Sequence, residues 1–499
     1  MSRPRLHLFA RVPIVGAADT PPAPLVVCID PSGDGDAEAT RGSLAAQTAG
    51  PAAVIESPLE RALNDTRADW VVRVAAGDLL APHALERLGQ AVTLAPGAAI
   101  VTCDDDALDR RGRRHSPRLR PGPSPDLWLA GDPAPALVAV RRERAAAEMT
   151  ATATPYRLLL LLGGPDGAGQ AHVPLVLCHR GTPAKAADSG AAAEALARWS
   201  PGATVERAEG GAARVRRPLA TEPHVEAIVL YRDRPELLER CARSLLERST
   251  YERLTLRAVD NASTEPETAE LVARLAGDPR VIAERDARPF NFSRLAGAAA
   301  SRSRADVLVF LNNDTEVISP DWLETLLEEA LRPEVGAVAP LLVYPDGRVQ
   351  HAGAAIGLHG WAGHPFAGLA PEAETPFGSP LDGTRNWLAV SAACLMVERR
   401  KFEQVGGFDE AFAVGGGDVD LCLRLTAAGW RSLCVPHVRL VHDESASRDP
   451  LAIPAPDFEA SRRSYGDFRT VGDPFYHPAL TLQDTTCRVR TATEEVGAA

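Results

Sequence analysis

The stretch "VLVFLNNDTEVISPDWL", residues 307–323, runs apolar from Val307 to Leu311 and then turns abruptly polar at Asn312, Asn313, Asp314, Thr315 and Glu316. Five consecutive apolar residues bounded by polar ones read as a strand buried on both faces. Pro320 marks a helix beginning nearby. A core strand therefore delivers an amide and acidic cluster at its carboxyl end.

Alternation extends outward from this point. After "EGGAARVRRPLATEPH", 209–224, which is rich in Gly, Pro and charge and is taken as a linker, "VEAIVLY" reads as a strand. "RPELLERCARSLLERS" reads as an amphipathic helix opened by Pro235, and "LTLRAVD" as the next strand. "EPETAELVARLAG", "RVIAER", a helix around 293–303 and "DVLVFL" continue the series. Such alternation implies an α/β fold with a mainly parallel sheet and helices on both faces. Ligands bind such sheets beyond the carboxyl ends of the strands, where "VDNAS" and "LNNDTE" both lie.

The chain also repeats itself. "ADWVVRVAAGDLLAPHALE", 68–86, can be laid on "ADVLVFLNNDTEVISPDWLE", 305–324, with one gap, and "VPLVLCH" at 173–179 on "VPHVRLVH" at 435–442. Self-similarity of this kind points to two copies of one fold. The polar tip differs: Ala75, Ala76 and Gly77 stand against Asn312, Asn313 and Asp314, with Asp78 one step further on.

The chain's 499 residues exceed one ordinary core, and its 24% charged and 45% hydrophobic residues are those of a globular protein. The net charge of −12, without a long basic block, argues against nucleic acid as a partner. Eight scattered cysteines without a C-x-x-C pair read as buried thiols of a cytosolic protein. No run approaches the ~18–20 apolar residues of a membrane span, and the first residues do not read as a signal peptide.

Several residues could carry chemistry. Asp314, at a strand end, can hold a divalent cation whose other ligands are phosphate oxygens and water, or can make a turn. Asp260 can receive the N–H or hydroxyl groups of a nucleoside, or open an Asx-turn. Asp418, in "GGGDVDLCLRLTAAGWR", is expected at a helix start. There it can take a proton from a hydroxyl or simply cap the helix. Asp420 reads as supporting. His442 follows a short strand and can ligate a metal, while Arg448 with Ser445 or Ser447 can grip phosphate. His351, His364 and Trp387 are further candidates. The Gly-rich run 353–363 reads as a mobile loop near a site or as a surface connection. No G-x-S-x-G, H-E-x-x-H or P-loop pattern occurs.

"VEAIVLYRDRPELLERCARSLL", "VDNAST", "FNFSRLAGAAA", "VFLNNDTEVISPDWL", "VQHAG", "CLMVERRKFEQVGGFDEAF", "GDVDLCLRLTAAGW" and "VHDESASR" occur in this order. As an ordered set over about residues 224–480 they resemble family-two inverting glycosyltransferases of GT-A type, closest to bacterial proteins of O-antigen, rhamnan and capsule assembly. The first half resembles a degraded copy.

The resemblance implies tandem GT-A-like, Rossmann-like domains of the nucleotide-diphospho-sugar transferase type. It implies a cytoplasmic enzyme, possible peripheral contact with the inner face of the membrane, a divalent cation (Mg²⁺ or Mn²⁺), a UDP- or dTDP-sugar donor and a glycan or lipid-linked glycan acceptor. Asp418 would be the general base, and Asp314 and His442 the metal ligands. Asp260, Asn261, Asn291, Asn312, Asn313 and Arg448 would bind the nucleotide-sugar, with Trp387 and Asp420 on the acceptor side.

Four units follow: 1–208 degenerate and catalytically inactive, 209–223 linker, 224–449 catalytic, and 450–499 a helical or extended tail. Departures from the family pattern are Leu230 and Tyr231, Ala296 and Gly297, and the three glycines 415–417. They keep a second reading open, a non-catalytic glycan- or nucleotide-sugar-binding protein.

Overall fold

The computed structural model describes residues 20–31, 35–149, 154–181, 188–207, 212–443 and 453–492, together with Glu494. Two sheets organise the chain. Elements of the second are labelled in chain order. Its strands are β1 (Val225–Tyr231), β2 (Leu254–Asp260), β3 (Val281–Arg285), β4 (Val307–Asn312), β5 (Thr315–Val317), β6 (Val335–Val343), β7 (Val349–His351), β8 (Arg385–Trp387), β9 (Cys394–Glu398) and β10 (Arg431–His442). Its helices are α1 (Pro235–Arg248), α2 (Pro266–Leu275), α3 (Phe292–Arg302), α4 (Trp322–Ala330), α5 (Arg399–Gln404), α6 (Gly417–Ala427) and α7 (Ala455–Val471).

The strand order is β3-β2-β1-β4-β9-β6-β10-β5, with β7 beside β6 and β8 beside β10. Strands β3, β2, β1 and β4 are parallel, as the alternation requires. Beyond them β9 runs antiparallel to both β4 and β6, so the sheet is mixed in its second half. Neighbouring residues of β4 face opposite ways, which is why the run is apolar throughout. Val307, Val309 and Leu311 pack with α1 and α4, while Leu308 and Phe310 pack with α3 and α6.

The first sheet runs in the order Ala53–Glu56, Val26–Asp30, Trp70–Ala75, Val138–Arg141, Ile100–Leu108, Gln170–Arg180, Leu79–Leu80, with Arg114–Arg118 beside Ile100–Leu108. From β2 to β5 the two orders coincide strand for strand and sense for sense. The repeat is thus one of topology. The first copy has no counterpart of β3 and α3, because only the helix Leu59–Asp65 joins its Ala53–Glu56 and Trp70–Ala75 strands. The register also refines the sequence overlay. Leu79 faces His179 as Thr315 faces His442, so Asp78, not Gly77, stands where Asp314 does.

The copies share a buried charged seam. Asp126 of the first accepts from Arg332 (2.6 Å) and Arg431 (2.9 Å) of the second, and Arg217 stands 3.5 Å away. Residues 212–216 are not a bare linker. Ala213–Arg216 pairs with Thr204–Arg207, and Arg214 and Arg216 reach Asp321 and Glu328 at the start and side of α4. Partners distant in sequence hold that strand, so no local periodicity announces it. The C-terminal segment spans both copies. Phe475 and Tyr476 enter the second core, and His477 bonds Asp104 of the first at 2.8 Å.

Candidate active site

The carboxyl ends of β2, β1 and β4 lie side by side. Tyr231 faces Asp260 and Leu230 faces Asn312, which sets Asp260 two strand spacings, about 10 Å, from Asn312. Beyond Asn312 the chain turns at Asn313 and Asp314 into β5, and β5 pairs antiparallel with the end of β10. That pairing brings His442 to Asp314, with Nε2 3.3 Å from Oδ1. Both are buried, at 5% and 4% exposed.

Gln350 Oε1 lies 3.1 Å from His442 Nδ1, which fixes Nδ1 as the donor. Nε2 then has two states that differ by one proton. Protonated, it donates to Asp314. Bare, it accepts from the Asn312 amide at 3.2 Å and aims its lone pair at the same point as the carboxylate. Burial pushes the Asp314 carboxyl up, but the hydrogen bond and charge of His442 outweigh this, and the group titrates below its ordinary value. A histidine with its distal nitrogen tied to an acceptor, beside a buried ionised carboxylate, fits a divalent cation in place of the proton. Among the described residues no third His, Cys, Asp or Glu completes a cage. Two protein ligands suit a cation whose other positions go to phosphate and water.

Asp418 meets the same edge from the other side. Its Oδ2 accepts from Ala392 N–H at 3.0 Å, and the next carbonyl, Ala393, accepts from Asn312 N–H at 3.0 Å. The residues Ala392 and Ala393 thus tie Asp418 to the backbone of Asn312, whose side-chain amide in turn meets His442. Asp418 is half-buried and is the second residue of α6, not its cap. The cap is Gly416 at φ 86°, without a side-chain bond. Oδ1 meets the backbone N–H of Val419 at 2.9 Å, and the positive end of α6 favours the carboxylate.

His351 lines the inner side of this region. It accepts from Ser391 N–H at Nε2 and meets His364 Nδ1 at 2.9 Å. Burial and the two neighbouring imidazoles hold its pKa well below the ordinary histidine value.

Other expected site residues are used differently. Asp260 is buried, with Oδ1 accepting from Ser263 N–H (2.8 Å) and Oδ2 from Arg285 (2.6 Å). The turn reading and the strand-end acid therefore coexist, with the half-exposed Arg285 as the partner a ligand would displace. Asn261 does not point at a ligand, because both donors of its amide go to the carbonyls of Asp286 and Arg288 at 2.8 Å. Asn291 is the cap of α3. Its Oδ1 accepts from Arg294 N–H, and its amide donates to the Glu410 carbonyl, tying α3 to the approach to α6. Asn313 is 8% exposed beside Asp314.

Asp420 is not on an acceptor surface. Arg424 and Ser464 occupy its oxygens and fasten α6 to α7. Trp387 is also inside the core, 1% exposed and edge-on to Phe366 and Phe377. Gly353 lies against it: a Cβ there would stand 2.2 Å from the indole, and φ is 119°. The run 353–363 is accordingly packed at its start and is no surface loop. Arg448, Ser445 and Ser447 lie outside the described residues. Sequence reasoning missed Gln350, one residue before the singled-out His351, for lack of any pattern linking it to a histidine 92 positions away.

Residues 227–371 match the family described as "Glycosyl transferase family 2". The chain is 39% identical over 464 residues to the O-antigen biosynthesis protein RfbC of Myxococcus xanthus, covering 88% of this chain and 36% of that protein. It is 34% identical over 173 residues to an N-acetylglucosaminyl-diphospho-decaprenol L-rhamnosyltransferase of Mycobacterium tuberculosis, covering 32% of this chain and 54% of that protein. The chain thus spans about a third to a half of the length of these curated relatives. Among solved structures, a mannosyltransferase of Pyrobaculum calidifontis in complex with GDP-Man and Mn²⁺ aligns at a TM-score of 0.35 and 19% identity, over 46% of this chain and 59% of that one.

Proposed function

With a glycosyl transferase family 2 domain over residues 227–371 as the premise, we propose that the chain transfers a sugar from a nucleotide-diphosphate donor to a growing bacterial surface glycan, with inversion. One observation carries the reading: Asp314 and His442 are 3.3 Å apart across 128 residues of sequence, and Asp418 bonds the backbone of Ala392, next to the residue whose carbonyl bonds Asn312.

The donor lies across the ends of β2, β1 and β4. Asp260 takes the nucleoside once Arg285 gives way, and Asn312 and Asn313 flank the diphosphate. Asp314 and His442 hold a divalent cation, which when bound supplies positive charge to the departing diphosphate. Arg448 is assigned a phosphate contact. Asp418 accepts the proton of the attacking hydroxyl, the new bond forms at the anomeric carbon, and the bond to the diphosphate oxygen breaks in the same displacement. Asn261 and Asn291 act as positioning residues that hold the loop 286–291 and the approach to α6.

The first unit, residues 1–208, serves as a docking or acceptor-guiding module, with 224–449 catalytic. Its counterpart of His442, His179, turns instead to Asp106 at 2.7 Å. No helix among the described residues is long and apolar enough to cross a membrane. Peripheral contact at the inner face of a membrane would bring the site to a lipid-linked acceptor.

Release of UDP or dTDP from a panel of nucleotide-sugars, with and without Mn²⁺, tests the reading. Wild type releases nucleotide only with metal, and Asp314→Ala does not. Asp418→Asn still binds the donor but loses about 10²–10⁴-fold in transfer. Metal-independent release, or full transfer by Asp418→Asn, would overturn it.

A further inference from the structure

Helix α7 carries an acid in its first turn, Asp457, whose carboxylate is spent on another segment. The residue is 1% exposed and accepts from three consecutive backbone N–H groups. Ala413 donates to Oδ1 at 3.1 Å, and Val414 and Gly415 donate to Oδ2 at 2.7 and 2.9 Å. Bonds to an ionised carboxylate are about twice as strong as neutral ones. From the other side, the carbonyl of Ala413 accepts from Phe292 N–H of α3 at 2.7 Å.

The clamped residues run straight into Gly415, Gly416, Gly417 and then Asp418. Glycine has little backbone preference of its own, so this approach does not by itself set the direction in which α6 starts. The cap of α6, Gly416, has no side chain to bond the first turn. Packing nevertheless requires the glycines. A Cβ would stand 3.3 Å from Ile453 at Gly415, 3.0 Å from Ser461 Oγ at Gly416 and 2.9 Å from Ser293 Oγ at Gly417. Ser461 belongs to α7, and Ile453 just precedes it. The helix thus seats on bare backbone, and Asp457 is the side chain that fixes that backbone.

We propose that Asp457 is a positioning residue for the transfer. By holding 413–415 it sets the start of α6, so that Asp418 Oδ2 stays 3.0 Å from Ala392 N–H beside Asn312. Helix α7 then belongs to the catalytic unit and is no tail to it. The glycines that depart from the family pattern fit a working base, because α7 supplies the rigidity they lack. The proposal rests on the transferase reading for the role of Asp418 as the base.

Nucleotide release from the nucleotide-sugar that wild type uses, with Mn²⁺, is compared for the full chain as wild type, Asp457→Asn, Asp457→Ala, Asp418→Asn and the Asp457→Asn, Asp418→Asn pair. Asp457→Asn keeps the side-chain volume and one acceptor, and it carries the test if Asp457→Ala does not fold. Asp457→Asn loses about tenfold in kcat and Asp457→Ala about 10²-fold, as a displaced catalytic group does. The donor KM and the affinity for UDP with Mn²⁺ stay within about twofold of wild type. On top of Asp418→Asn, the change at 457 costs less than about twofold, because the group it positions is already lost. Amide exchange speeds up at 413–417 and at Ala392, and stays unchanged in β4 and β10.

Release by Asp457→Asn within about twofold of wild type would overturn the proposal. So would an equal loss of affinity for UDP with Mn²⁺, or a loss that multiplies in full with that of Asp418→Asn. If wild type releases no nucleotide from any donor, the transferase reading fails and amide exchange decides. Faster exchange at Ala392 and 413–417 in Asp457→Asn keeps Asp457 as the residue that positions Asp418, and unchanged exchange overturns it. If wild type releases nucleotide and Asp457→Asn is indifferent, the transferase reading stands and the positioning role falls.

Discussion

Gln350 touches neither proposed substrate, yet its removal has a definite consequence. The side chain is 3% exposed, and its Oε1 is the acceptor for His442 Nδ1–H at 3.1 Å. In Gln350→Leu that acceptor disappears at nearly constant volume. The imidazole then avoids an orphaned Nδ1–H by moving its proton to Nε2, where Asp314 Oδ1 at 3.3 Å accepts it. The new bond replaces the one to Gln350, while the Asn312 amide loses its acceptor at Nε2, so stability falls by about 1 kcal/mol. Metal binding suffers, since the proton now occupies the ligating nitrogen.

Loss of a partner that orients a histidine ligand costs about 10–100-fold in metal affinity, or roughly 1.4–2.7 kcal/mol at 1.36 kcal/mol per decade. Titration of Mn²⁺ in the presence of UDP, followed by the electron paramagnetic resonance of the free ion, measures it. Gln350→Glu, which keeps an acceptor at Nδ1, stays near wild type. If Gln350→Leu binds Mn²⁺ within about twofold of wild type, His442 is not a ligand set by Gln350, and the reasoning from the tautomer fails.

Two further outcomes follow from the same geometry. Asp126→Ala leaves the guanidinium groups of Arg217, Arg332 and Arg431 buried around a missing carboxylate, and urea unfolding registers a loss of about 3–5 kcal/mol. A loss under about 1 kcal/mol would mean the seam between the two copies is not held by this charge. For Asp314, whose folded pKa lies below its unfolded one, the stabilisation is present above the unfolded value near ~3.9 and lost as pH falls through the lower folded value. The stability advantage of wild type over Asp314→Asn therefore shrinks as pH falls below about 4. An advantage that grows between about pH 4 and 2 would contradict the assigned direction.

The sheet was legible where side-chain pattern determines it. The apolar run 307–311 had to be a two-faced strand, the helices between 235 and 303 had to cover it, and the overlay of 68–86 on 305–324 disclosed the repeat. Strand direction beyond β4 was not legible, because an apolar run such as β9 looks the same in either sense. The site was partly legible for a similar reason. Asp314 and His442 announce themselves at strand ends, but only the antiparallel register of β5 on β10 joins them. Asn261 and Asn291 carry the right groups for a ligand, yet spend them on backbone carbonyls and on a helix N–H that sequence does not reveal. Trp387 has a large aromatic face, but the close approach of Gly353 seals it into the core. The strand Ala213–Arg216 escaped notice because its stability comes from the acids of α4 and from no pattern of its own.

One cation shared by Asp314 and His442 beside Asp418 is what the proposed transfer requires. A crystal grown with Mn²⁺ and UDP, measured at a wavelength where manganese scatters anomalously, addresses it directly. The expected result is one strong anomalous peak within coordination distance of both Asp314 and His442 Nε2, with the diphosphate on its open side and Asp418 free of it. A peak held by Asp260 or Asp418 in their place, or His442 still donating to Asp314 with UDP and manganese bound elsewhere, would contradict it.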